Sequence, residues 1–212
     1  MLKYLFRYYL SQLNNTLFFH FFDHFKHFFA DRIIAVAEAA KDNLTDTGVD
    51  SNRIEVILNG VDGLSPIGDD EKAEVRARFD IKPDEKVISI VARLEDIKGH
   101  KYFIEAAKQL IDKGINAKFL IAGTGSYEAE LKRYAKELDV TDNVIFTGFI
   151  SDVDKLMNIT DVQVNASYGT EATSLALLEG MSLGIPAVVS DFSGNPGVIK
   201  NGSNGIVVPM KN

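Results

Sequence analysis

From Ala30 onward the chain alternates between short apolar runs rich in β-branched residues and longer stretches of helical periodicity. The apolar runs fall at residues 33–36, 54–58, 87–92, 118–122, 144–146, 162–164, 187–189 and 206–208. Between them, residues 102–112 place Phe103, Ala106, Ala107, Leu110 and Ile111 on one helical face, and residues 127–138 do the same with Leu131, Tyr134, Ala135 and Leu138. Near-continuous apolar strands separated by helices predict a parallel sheet covered on both faces, hence a doubly wound α/β unit. That unit proper is expected to start near Glu85. Residues 30–61 supply an extra strand–helix–strand on its N-terminal side. Residues 62–75, with Gly63, Pro66, Gly68 and an acidic cluster, read as a linker or surface loop.

The opening 29 residues follow another pattern. Of the 14 Phe and 7 Tyr in the chain, 11 lie there, with three of the four His. Phe18, Phe21, Phe22, Phe25, Phe28 and Phe29 recur at helical spacing, which predicts one or two aromatic helices. No apolar run approaches the roughly 18–20 residues of a membrane span, and no small-residue cleavage site follows. Two fates are open for so much ring surface: packing on another domain, or lying on a membrane surface with Lys3, Arg7 and Lys26 toward anionic headgroups. The histidines stand among aromatics without further polar ligands, so no metal is expected there.

Composition narrows the chemistry. The 212 residues include no Cys, which excludes disulfide scaffolds, thiolate zinc sites and cysteine nucleophiles. The net charge of −7 divides into +2 for the first 29 residues and −9 for the rest. So acidic a body does not suit nucleic acid, whose phosphates need clustered Lys and Arg. Both features fit a cytoplasmic protein.

In a doubly wound sheet, ligands sit beyond the C-terminal ends of the strands. After 87–92 come Arg93 and Lys98, just ahead of a helix. They suit a phosphate or diphosphate, or they pair with Glu95 and Asp96 as surface charges. After 118–122 comes Gly123-Thr124-Gly125, a weak dinucleotide signal that a sharp strand-to-helix turn explains equally well. After 144–146, Asp152-Val153-Asp154 resembles paired metal-holding carboxylates, yet Ser151 followed by acids also suits a helix N-terminus. After 162–164 the stretch around Glu171 and Glu179 opens a helix. If both acids were helical, their Cα atoms would stand roughly 12 Å apart, wider than the about 5–9.5 Å between the carboxylates of glycoside hydrolases. They fit separate contacts along an extended polar ligand, with amides and hydroxyls of Ala172, Thr173 and Ser174 offered to an anion. The alternative is Thr170 or Thr173 as the cap, Glu171 as a dipole partner and Glu179 as a solvated side chain.

Taken in order, ADRIIAVAEAAKDNL, VILNGVD, VARLEDIKGHKYFIEA, LIAGTG, VIFTGFI, E-x7-E, GIPAVVSD and NGIVVP resemble the donor-binding half of retaining glycosyltransferases of family 4 (glycosyl transferases group 1), which have the GT-B architecture of two facing Rossmann-like domains. The resemblance covers about residues 30–209. It implies an NDP-sugar donor as substrate, with no cofactor and no bound metal. It assigns Arg93 and Lys98 to the diphosphate, Glu171 to hydroxyls of the transferred sugar, and Glu179 to the nucleotide ribose. Phe149 and Ile150 fall in the region that holds the base. Ala172, Thr173, Ser174 and Leu175 match the stretch that contacts phosphate through backbone amides, and Gly123 and Gly125 the glycine turn of the donor site. The chain departs from the common form at Ala37, at Glu171-Ala172-Thr173-Ser174 in place of E-G-F-G, and at Pro196-Gly197 in place of Pro-Glu.

The resemblance also implies an organisation. Residues 1–29 are expected to be a helical remnant of an acceptor domain, 30–84 a strand–helix–strand and linker joining the halves, and 85–212 a Rossmann-like donor domain that stops short at its C-terminus. The expected function is transfer of a hexosyl unit to a glycan or lipid-linked acceptor in bacterial cell-surface polysaccharide synthesis, with the chain inactive alone. The other readings are a half-enzyme that needs a separate acceptor-binding subunit, and a non-catalytic module held at the cytoplasmic face of a membrane by residues 1–29.

Overall fold

Eight parallel strands form two separate sheets in the computed structural model, which describes residues 30–169 and 172–211. The aromatic opening lies outside the described residues. Every strand expected from residue 30 onward is present, with ends shifted by no more than two residues. Strand β1 (Ile33–Ala35) and helix α1 (Glu38–Asp46) lead to β2 (Ile54–Val56), which pairs with β1 in a two-stranded parallel sheet. This small sheet has its own cluster of Ile33, Ala35, Val49 and Ile54.

The main sheet has six strands in the order β5-β4-β3-β6-β7-β8. Along the chain it consists of β3 (Lys86–Val91), α3 (His100–Asp112), β4 (Ala117–Ala122), α4 (Glu128–Glu137), β5 (Val144–Gly148), α5 (Val153–Asn158), β6 (Val162–Asn165), α6 (Leu175–Ser182), β7 (Ala187–Ser190), α7 (Asn195–Val198) and β8 (Gly205–Val208), preceded by α2 (Asp69–Arg78). The chain winds outward from β3 to β5, then returns to lay β6 on the other side of β3 and winds outward again. Strand β4 shows why both faces are apolar. Ala117, Phe119 and Ile121 pack under α3 and α4, and Leu120 and Ala122 pack under α2 and α5.

Helix α2 corrects the expectation of a linker over 62–75. Gly68 starts it in extended conformation, Asp69, Asp70 and Glu71 fill the first turn, and Arg76 and Arg78 fill the last, complementing the helix dipole at both ends. Val75 is its one buried residue, so the apolar period that would reveal the helix is nearly absent. The helix is held to α5 through Arg78–Asp152 and Lys155–Glu71, each at 2.8 Å. Val75 and Ile81 join the cluster beneath β3 and β4, so the packed α/β unit starts ahead of Glu85. The remaining connector is pinned by side chains. Asn158 accepts from the Ile67 amide and donates to the Ser65 carbonyl, both at 3.0 Å, and Ser182 Oγ accepts from the Leu64 amide at 2.9 Å.

Among the described residues, nothing covers the apolar side of one stretch of the sheet. Beside α3, a groove of about 250 Å³ runs over Ile88, Val162, Val164, Val188 and Val208. Ile206 stands on that same side by strand alternation and is half exposed. No described helix is long and apolar enough to cross a membrane.

Candidate functional site

The switch in winding direction between β3 and β6 puts the loops after these strands side by side at one edge of the sheet, where doubly wound folds bind ligands. The two loops are locked together by backbone. Gly99, in the left-handed region at φ 73°, lies so close to Ala166 that a Cβ would stand 2.2 Å from its carbonyl oxygen. The Tyr168 amide donates to the Ile97 carbonyl at 2.9 Å. From the other side, Gly123-Thr124-Gly125 supports the loop after β3. The Leu94 amide donates to Thr124 and the Tyr127 amide to Leu94, both at 2.9 Å, and a Cβ on Gly125 would meet the Leu94 carbonyl at 2.2 Å. In the structure the two glycines therefore act as a tight turn beneath the loop that carries the cations.

Arg93 and Lys98 differ sharply. Arg93 is exposed and paired with Glu95 at 2.8 Å, the surface-pairing arrangement left open by the sequence. Lys98 is 7% exposed and lines a small cavity of about 20 Å³ at the ends of β3 and β6. Asn165, Ser167, Ser174 and Ala176 line the same cavity. Sequence reasoning did not single out Asn165 and Ser167. Their only signal was polarity at the end of an apolar strand. The Ser167 amide donates to Asn165 Oδ1 at 3.1 Å, and Ser190 Oγ donates to the Ser167 carbonyl at 2.5 Å, which holds the loop after β6 in place.

His100, the first residue of α3, was also missed, and it is buried at 1% exposure. Burial pushes its imidazole down to about 4, and the Lys98 charge adds to the shift while the Glu95 backbone opposes it. The ring is thus neutral in the native state at pH values where an unfolded histidine is charged. Its contribution to stability is fully present above the ordinary 6.5 and is lost as pH falls through about 4. We expect the unfolding midpoint to fall across that window. His100→Phe should flatten the part due to the ring, and denaturant titrations of both proteins at several pH values check this, because titrating carboxylates are common to the two.

At the start of α6 the cap is Ser174, not Thr170 or Thr173. Ser174 is extended at φ −73° and ψ 117°, and its hydroxyl accepts from the Leu177 amide at 3.3 Å. The first-turn amides therefore belong to Leu175, Ala176 and Leu177, one turn later than a start at Ala172 would place them. Leu175 is half exposed. Ala172 lies against Gly194, where a Cβ would come within 1.8 Å of the Ala172 carbonyl oxygen. Thr173 Oγ1 points at the Val36 carbonyl at 3.5 Å, tying this loop to the small sheet. Ser174→Ala should cost about 1 kcal/mol, read as a melting temperature lower by about 2–4 °C in a thermal scan. Glu179 is half-buried on α6. Its carbonyl accepts from Ser182 Oγ at 2.6 Å, and no described residue bonds its carboxylate. Glu171 lies outside the described residues.

Phe149 and Ile150 part company after β5. The Phe149 ring is 79% exposed, whereas Ile150 packs on the cluster beneath α2 and α5. Asp152 is engaged by Arg78, which holds its carboxyl below the usual range. Among the described residues no group of three or more His, Cys, Asp or Glu stands close enough to hold a metal ion.

Comparison with known proteins adds a lineage to this geometry. Residues 71–212 match the family model described as glycosyl transferases group 1, and residues 3–63 match that of glycosyltransferase family 4. An uncharacterized glycosyltransferase of Methanocaldococcus jannaschii is 32% identical over 187 residues, 85% of this chain and 47% of that protein. The UDP-Gal:alpha-D-GlcNAc-diphosphoundecaprenol alpha-1,3-galactosyltransferase of Escherichia coli is 31% identical, over 76% of this chain and 43% of its own. Among solved structures, Anabaena Alr3699/HepE in complex with UDP and glucose superposes with a TM-score of 0.81 at 24% identity, over 87% of this chain and 50% of that one. The chain thus spans a little under half the length of the curated relatives it matches. With more than half of its residues under one family model and the same fold in solved glycosyltransferases, the chain belongs to the glycosyl transferases group 1 family.

Proposed function

We propose that the chain is the donor-binding half of a retaining, NDP-sugar-dependent glycosyltransferase. The observation that carries this reading is the buried Lys98 side chain, which shares one cavity with Ser174 and the first turn of α6 at the switch point of the sheet. The cavity itself holds no more than a water, and a diphosphate docked over it at this edge of the sheet meets a dehydrated cation and the positive end of a helix dipole. Both gain strength as the sugar bond breaks and charge gathers on the departing diphosphate, so they lower the barrier rather than merely bind. Glu179, with its carboxylate uncommitted, takes the ribose hydroxyls, and Glu171 takes hydroxyls of the transferred sugar. The exposed Phe149 ring offers a stacking surface to the base.

The E. coli relative is named for a UDP-galactose donor and a lipid-linked acceptor, and HepE was solved with UDP and glucose. They support a UDP-hexose as donor, and the E. coli relative a membrane-borne glycan as acceptor. The acceptor site belongs to the other half of such an enzyme. The 212 residues by themselves should bind donor and transfer sugar poorly. Calorimetry with UDP-, GDP- and ADP-sugars tests this. One of them should bind with the same affinity in EDTA as with magnesium. Absence of heat and of thermal stabilisation with all three would sink the reading.

A further inference from the structure

His100 is the buried side chain whose presence packing alone does not explain. Its ring is 1% exposed, and among the described residues neither Nδ1 nor Nε2 has a hydrogen-bond partner. A phenylalanine or leucine would fill such a place without leaving two polar atoms unpaired, so the imidazole calls for a reason. Its surroundings supply one. The ring cannot swing away, because Gly99 before it is wedged against Ala166 and the Phe103 amide bonds back to the Gly99 carbonyl at 3.3 Å. Two groups act on the ring, the Glu95 backbone, which favours its charged form without reaching hydrogen-bond geometry, and the Lys98 charge. Glu95 in turn holds Arg93 through its carboxylate at 2.8 Å. One imidazole therefore stands next to both cations of the loop, beside Lys98 directly and one residue removed from Arg93.

We propose that His100 is a positioning residue for the loop of residues 93–99: its neutral ring fills the loop's interior and donates its N–H to the Glu95 carbonyl as the loop settles, which fixes Lys98 against the start of α6 and steadies Arg93 through Glu95. The consequence for the ligand rests on the donor-site reading above, whereas the consequence for loop order does not.

The test compares the full chain with His100→Phe, which keeps ring volume and removes the N–H, and with His100→Asn and His100→Gln, which restore an N–H at the Nδ1 or Nε2 position. In the free protein, amide exchange at residues 94–99 should quicken about fivefold in the Phe variant, with exchange elsewhere unchanged. UDP affinity should fall about tenfold, and at least one of the two amide variants should restore both readings. If Phe does not pack, His100→Met, apolar and pliable, makes the same deletion. Unaltered loop exchange in the Phe or Met variant would overturn the proposal, as would failure of both amides to rescue it. Altered and rescued loop exchange in a protein that binds no UDP would uphold the positioning role and count against the donor site instead.

Discussion

Lys98→Ala should weaken UDP-sugar binding about 100-fold, and Arg93→Ala no more than about fivefold. The two cations have the same charge and lie five positions apart, but their surroundings are unlike. Lys98 is almost wholly withdrawn from water, where a charge-assisted hydrogen bond to phosphate is worth about 1.5–3 kcal/mol. Arg93 is exposed, so water and screening discount whatever it gives a ligand. Lys98→Met separates charge from packing, since it keeps an apolar stem and loses the ammonium. Calorimetric titration of the three variants reads the order directly. Equal losses at both positions would mean that the diphosphate sits in the open, over Arg93, rather than at the cavity.

Gly123→Ala should be the most damaging small substitution, lowering stability by about 3–4 kcal/mol and the melting temperature by about 10 °C. Its backbone sits at φ 138°, which L side chains rarely adopt, and a Cβ there would meet the Ala92 carbonyl oxygen at 2.1 Å. Neither problem can be relieved by turning a side chain. The Gly123 amide is also committed, donating to the Gly148 carbonyl at 2.9 Å, so a shift of the turn breaks a link to β5. Gly197→Ala is the control, since nothing lies within 4 Å of the added methyl. Thermal unfolding of the two variants should differ by most of the predicted shift. Similar melting temperatures would show that the turn yields.

The sheet was legible from sequence because its strands are apolar on both faces, and runs such as 118–122 have few other uses. Helix α2 was not legible, since one buried valine on a highly charged helix leaves no period to find. Its end charges were the remaining cue, and they look the same in an acidic loop. At the site, sequence identified the cations but not their inequality, because exposure is decided by how β6 lies against β3. The cap of α6 was misplaced for a similar reason. Thr170, Thr173 and Ser174 are all able to cap, and the docking of Ala172 on Gly194 selects the last. Phe149 and Ile150 are adjacent and both apolar, and only the direction in which the chain leaves β5 turns one outward and the other inward. His100 follows a Lys-Gly pair with no pattern around it, so its burial could be learned only from the fold.

The apolar side of β6, β7 and β8, which no described residue covers, bears on how the 212-residue chain behaves in solution. Where that face stays open it favours adhesion between copies of the chain, and their shared net charge of −7 opposes it. Repulsion of this kind has a range of about 10 Å in 0.1 M salt and about 3 Å in 1 M, whereas hydrophobic contact does not weaken as salt is added. Colloidal stability is therefore electrostatic and conditional, greatest in dilute buffer at a pH where the carboxylates stay ionised. A lyotropic salt such as sulfate removes it twice over, by screening the charge and by strengthening the attraction between apolar faces.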